Sequence, residues 1–277
     1  MVRRNFAEIM KENNFDVFLE YQRLHYLFYE QEDIIIHNTM EQAINSIIMD
    51  IPIRKGALSL SGFEREHRLN FKSCTICNDL DYLITFCEYC MNFCQQYQDY
   101  YDNMGISCIY KDANPVIEQV RIIADKIHYK EILDDGFYIY VEENPAAVSV
   151  AETLEGEIAL ETLRYNHHSM KGDLVAKRNT LAQMANWLEP KRGELKELDK
   201  ELEGTLFFLF NRCSIRHNNE EEGNHFNPQM KNISKKELEE IYDDTYQLWL
   251  LAVLTLDNKE RKAKYDTMKN ESKALKN

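Results

Sequence analysis

The chain is poor in residues that interrupt regular structure, with only 9 Gly and 5 Pro among 277 residues. That scarcity excludes a low-complexity or collagen-like polymer and a fold made of many tight turns, and it favours long helices. No apolar run approaches the length of a bilayer crossing, and the opening Met1-Val2-Arg3-Arg4-Asn5 lacks the apolar core of a secretion signal. The expectation is therefore a cytoplasmic protein without a membrane anchor. A Gly-rich phosphate loop, a Ser/His/Asp constellation and a His/carboxylate metal cluster are also missing, which weakens ATPase, hydrolase and metal-nuclease readings. Positive charge is scarce too: 33 Lys and Arg face 47 Asp and Glu, for a formal charge of −14. Such a surface cannot coat duplex DNA, although a local basic notch could hold a short RNA segment. Basic residues do gather at Lys171, Lys177, Arg178, Lys191 and Arg192, and again at Lys259, Arg261, Lys262 and Lys264. Each group taken alone reads as a solvated helix face.

What is present is helical pattern. A hydrophobic fraction of 44% is enough for a core, and the length allows one large domain or two ordinary ones. Apolar spacing predicts helices over residues 13–31, Met40–Ile51 and Leu80–Tyr97, the last ended by Gly105, and over Val116–Ile127 behind Pro115. Residues 54–73 are less regular. Ile132-Leu133, Asp134-Asp135-Gly136 and Phe137-Tyr138-Ile139-Tyr140-Val141 spell a β-hairpin around an Asp-Gly turn. Beyond it, Pro145 opens a helix running to about Asn166, and Leu174–Leu188 marks a second. Pro190 starts a third, with a stripe of Leu195, Leu198, Leu202, Thr205 or Leu206, and Leu209. Ser234-Lys235-Lys236-Glu237 is a capping box leading into a fourth. The expected fold is mainly α: a helical N-terminal domain over 1–128, a hairpin seam over 129–143, and a four-helix bundle over 144–277.

The long connection after the third helix carries Asn211-Arg212-Cys213-Ser214-Ile215-Arg216-His217-Asn218-Asn219, with His225 close behind. Guanidinium forks suit phosphate oxygens, and imidazoles move protons near neutral pH. Together they can cut RNA without a metal: the ribose 2′-hydroxyl attacks its own phosphate, a histidine handles the proton, and an arginine stabilises the developing charge. Continuing the stripe from Leu209 by three and four places Arg212 and Arg216 on the bundle-facing edge.

This half of the chain, roughly residues 145–270, resembles the HEPN superfamily of prokaryotic defence and toxin proteins. The resemblance rests on the Arg/His stretch: Arg212 and His217 have the Arg-x4-His spacing of the family signature, with Cys213 where a polar residue is usual. Arg216-His217 followed by His225 supplies a second frame, with a longer spacer. The resemblance implies a helical bundle and a metal-independent endoribonuclease acting in phage defence or as a toxin. It also implies a homodimer whose Arg and His meet across the interface. Arg212, Arg216 and His217 would be catalytic, and Asn211, Asn218, Asn219 and His225 would bind or orient RNA. A neutralising or activating partner protein is a further expectation, and catalysis would need no cofactor. The alternative is a non-catalytic HEPN-like module that binds a partner or ligand. His167, His168 and Arg178-Asn179 read as structural, the alternative being that they line the same cleft.

Five of the 7 Cys fall in Cys74-x2-Cys77-x9-Cys87-x2-Cys90-x3-Cys94. Two Cys-x2-Cys pairs are raw material for structural zinc on Cys74, Cys77, Cys87 and Cys90. Cys87, Cys90 and Cys94 also fit the apolar stripe as small buried hydrophobes. Zinc would require a chain reversal near Asn78-Asp79.

Overall fold

The computed structural model describes residues 15–35, 37–74, 76–105, 110–217, 219 and 227–274. The chain is mainly helical with one two-stranded hairpin, as expected. It divides into two compact units, Met1–Tyr140 and Val141–Asn277. The division falls inside the second strand, so nearly all of the hairpin belongs to the first unit instead of standing as a separate seam.

In the first unit, α1 (Val17–His25) passes into a π-helical turn, Tyr26–Glu30. It is followed by α2 (Met40–Ser46), α3 (Leu60–Glu66), α4 (Leu80–Met104) and α5 (Asn114–Lys126). Helix α3 lies within the stretch that sequence pattern left irregular, where Ser59 caps it by accepting from Gly62 N at 3.0 Å. The long α4 ends at Gly105, whose φ of +60° is a left-handed cap that a side chain resists. Phe86, Tyr89 and Phe93 on α4 pack with Tyr21, Phe28 and Phe71 in an aromatic core. Strands β1 (Tyr129–Asp134) and β2 (Phe137–Glu142) turn at Asp135 (φ 48°) and Gly136 (φ 82°), both left-handed as a two-residue hairpin turn requires. Helix α4 covers the free edge of β2: Asn92 Nδ2 donates to Tyr138 O at 2.7 Å, and Tyr138 N donates to Asn92 Oδ1 at 2.8 Å. Tyr140 N donates to Glu88 Oε1 at 2.8 Å. Side chains thus satisfy an edge that would otherwise invite pairing.

In the second unit the expected four helices are present, but two are interrupted. The first is split into α6 (Pro145–Ala151) and α7 (Glu157–Arg164), because Gly156 adopts φ 71° between them. Helix α8 spans Leu174–Leu188. The third is split into α9 (Arg192–Leu198) and α10 (Lys200–Arg212) by Asp199, an extended residue whose carboxylate caps α10 by accepting from Glu201 N and Leu202 N. That break shifts the buried stripe, so Leu198 is exposed and Leu202, Leu206, Phe207 and Phe210 face inward. The fourth, α11 (Lys235–Ala274), starts at the expected capping box: Glu237 N donates to Ser234 Oγ, and Ser234 N donates back to Glu237 Oε2. Trp249 of α11 is fully buried among Leu181, Met184 and Leu188 of α8, and its indole donates to Met184 O at 3.2 Å. Among the described residues no helix is long and apolar enough to cross a membrane.

Candidate functional site

The Arg/Asn/His stretch lies where α10 stops. The helix ends at Arg212, Cys213 leaves helical geometry, and Ser214 turns left-handed at φ 56°. The chain therefore folds back before Arg216, which corrects the expectation that a continuous helix carries both guanidiniums along its inner edge. Arg212 is exposed, whereas Arg216 and His217 are half-buried beyond the helix. The apolar Cys213 and Ile215 anchor the turn at 3% and 2% exposure, and burial pushes the Cys213 thiol upward.

A helix C-terminus leaves carbonyls without intrahelical donors. Here neighbouring groups supply them. Cys213 N donates to Leu209 O, Arg216 N to Phe210 O at 3.0 Å, and Asn211 Nδ2 to Phe207 O at 2.8 Å. Asn219 is fully buried; its Nδ2 donates to Asn211 O at 3.0 Å while its Oδ1 accepts from Ser214 N at 2.8 Å. Asn227 Nδ2 donates to Arg212 O at 2.7 Å. Two elements of the bundle clamp the turn itself: Tyr242 of α11 donates to Ser214 O at 3.1 Å, and Arg178 Nε of α8 donates to Ile215 O at 3.0 Å. Among these buried groups, Ser214 Oγ has no hydrogen-bond partner.

The candidate residues thus divide by role. Asn211 and Asn219, expected to orient RNA, spend their amides on backbone. The Arg216 guanidinium is held by the Glu189 carboxylate and by Asn186 Oδ1, the latter at 3.0 Å. Arg212 and His217 stand at opposite ends of the hydrogen-bonded turn. Asn218 and His225 lie outside the described residues.

In the basic cluster near α8 and α9, Lys171, Arg178 and Arg192 are exposed, as a solvated face requires, but several of the cations are engaged and Lys177 is buried. Arg192 pairs with buried Glu203 at 2.6 Å and lies over the Phe207 ring, Lys191 Nζ sits 3.7 Å from the Trp187 ring centroid, and Arg178 holds the turn. Lys259 pairs with Glu194 and Arg261 with Asp257. Lys177 is 5% exposed, between Glu239 at 2.8 Å and Asp243 at 2.7 Å. Sequence pattern gave no sign of this last group, because its carboxylates lie more than sixty residues away on α11. Asp243 also accepts from the Tyr165 hydroxyl at 2.9 Å, and Tyr165 stacks on Tyr246. Burial, and then the Asp243 charge, raises the Tyr165 phenol far above its ordinary value. Tyr165, Lys177, Asp243 and Tyr246 line a cleft of about 210 Å³ with His167 and Lys171.

Burial, not a shared metal centre, accounts for the positions of most of the described cysteines. Cys87, Cys90 and Cys94 are buried inside α4, and burial raises each of their thiols well above the usual range. Cys74 and Cys77 lie in the segment before α4, their thiols donating to Ile76 O and Asp79 O. Among the described residues no three cysteine sulfurs lie within 4.8 Å of one another. The chain matches no protein-family model, no curated protein and no solved structure.

Proposed function

We propose that the second unit is a HEPN-like, metal-independent endoribonuclease in which Arg212 stabilises the phosphate and His217 transfers the proton. The observation that supports this reading is the hydrogen-bonded turn that closes α10. Donors from α8, α11 and two asparagines fix the turn between Arg212 and His217, and such preorganisation is what positioning catalysis needs. Arg216, paired with Glu189, becomes a positioning residue that holds the turn against α8. A second copy of the chain would complete the phosphate notch, because one turn in a protein of charge −14 offers few cations. Growth arrest in phage defence or as a toxin fits such an activity, with a partner protein to restrain or release it.

A second reading has specific support. Asn211, Asn219 and Arg216 are occupied in holding the fold, which suits a non-catalytic module that binds a partner protein or ligand. Induced expression separates the two. The nuclease reading expects growth arrest that His217→Ala or Arg212→Ala relieves. The binding reading expects the phenotype to survive both changes.

A further inference from the structure

We propose that Cys74 and Cys77 form a redox-active dithiol, with Cys74 the entry thiol for a small-molecule disulfide and Cys77 the resolving thiol. This assignment concerns the first unit and does not rest on the nuclease reading. A cavity of about 310 Å³ is lined by Cys74 together with Tyr21, Gln22, His25, Tyr26 and Glu30. Cys74 is the half-exposed cysteine of the described set, and all the others are buried. Its sulfur lies close enough to the Tyr21 phenol to help raise it, after burial itself. Cys77, three residues on, is 4% exposed. The two thiols lie close enough to act on each other electrostatically, and an accessible first thiol with a sheltered second is an arrangement that exchange chemistry uses.

The cavity is polar where a disulfide would enter. His25 Nδ1 lies 3.1 Å from Glu30 Oε1, and its Nε2 lies 3.2 Å from Lys72 O, so the ring faces an acceptor on each side. A ring held in this way is oriented toward the space that Cys74 shares. Among the described residues Cys74 is the one accessible entry thiol, because Cys77, Cys87, Cys90, Cys94 and Cys213 are all buried.

Each step balances. The Cys74 thiolate attacks one sulfur of glutathione disulfide, forming the mixed disulfide and releasing one glutathione thiolate. The Cys77 thiol, after losing its proton to solvent, attacks the Cys74 sulfur, forms the Cys74–Cys77 bond and releases the second glutathione. Two protein thiols are oxidised, and one glutathione disulfide is reduced to two glutathiones.

The test equilibrates the full chain at graded ratios of glutathione to its disulfide, alkylates the remaining thiols, and digests with trypsin and Asp-N. Cleavage after Lys72 and before Asp79 isolates Ser73–Asn78, which carries both thiols. The expected result is a peptide that loses both alkyl groups together and is lighter by two hydrogens in oxidising buffer. Cys77→Ser should trap a glutathione adduct on Cys74, and Cys74→Ser should abolish adduct formation at Cys77. A peptide that stays doubly alkylated at every ratio overturns the proposal. So do equal adducts in the two variants, or thiols that become reactive only after a metal chelator is added. Unchanged circular dichroism in both serine variants ensures that the readout concerns exchange and not unfolding.

Discussion

The ammonium of Lys177 lies 2.7 Å from the Asp243 carboxylate, tying α8 to α11 at a point only 5% exposed. Glu239, one turn earlier on α11, accepts from the same nitrogen at 2.8 Å. Removing the cation leaves two carboxylates facing each other, partly wetted since their side chains are 26% and 49% exposed. Lys177→Ala should therefore cost about 2–3 kcal/mol, less than a fully buried pair would lose. Both tryptophans, Trp187 and Trp249, lie in the second unit, so urea unfolding followed by their fluorescence reads this loss directly.

The same contacts set a pH dependence. The hydrogen bond from Lys177, then the one from Gly172 N, holds the Glu239 carboxyl below its ordinary value. A carboxyl depressed on folding contributes stability above its unfolded value and loses it as pH falls through the folded value. The second unit should lose stability below about pH 4.5, and Glu239→Gln should flatten that decline. A tryptophan-monitored unfolding series between neutral and acidic pH checks the slope, and an unchanged slope in the glutamine variant would contradict the assignment.

Asn219 bridges the two strands of the turn, accepting from Ser214 N and donating to Asn211 O in full burial. Asn219→Ala strands one donor and one acceptor, a loss of about 2–3 kcal/mol at roughly 1–3 per unsatisfied group with partial relaxation. Activity and stability should fall together in this variant, as measured by paired denaturation and RNA-cleavage assays. His217→Ala should separate them, losing cleavage far more than stability.

Gly136 is required by its φ of 82° at the hairpin turn. An added Cβ meets no neighbour there, so the penalty for Gly136→Ala is backbone strain alone, about 1–2 kcal/mol. Hydrogen exchange of the hairpin amides should accelerate accordingly, whereas exchange in α8 and α11 should not change.

The readable parts of the sequence were those set by neighbours a few residues apart. Asp135-Gly136 announced the turn, Gly105 the end of α4, and Ser234 with Glu237 the start of α11, each by a local backbone requirement. The breaks at Gly156 and Asp199 carried local signals too, but the apolar stripes ran through them and hid them. Buried carboxylates could not be foreseen. Glu20 is 1% exposed because Lys126 and Gln119 reach it from α5, and Glu64 because Tyr29 and Tyr89 donate to it. At the candidate site the residue types were legible, but their division of labour was not. Whether an asparagine meets RNA or caps a helix depends on how the chain folds back at Ser214, and spacing does not encode that.

Cleavage of total RNA by the purified full chain in excess chelator tests the account most directly. Fragments ending in 2′,3′-cyclic phosphate are expected, abolished by Arg212→Ala and by His217→Ala in protein that still folds, and only weakened by Arg216→Ala. RNA left whole at every protein concentration, or cut equally well by the His217 variant, would contradict it.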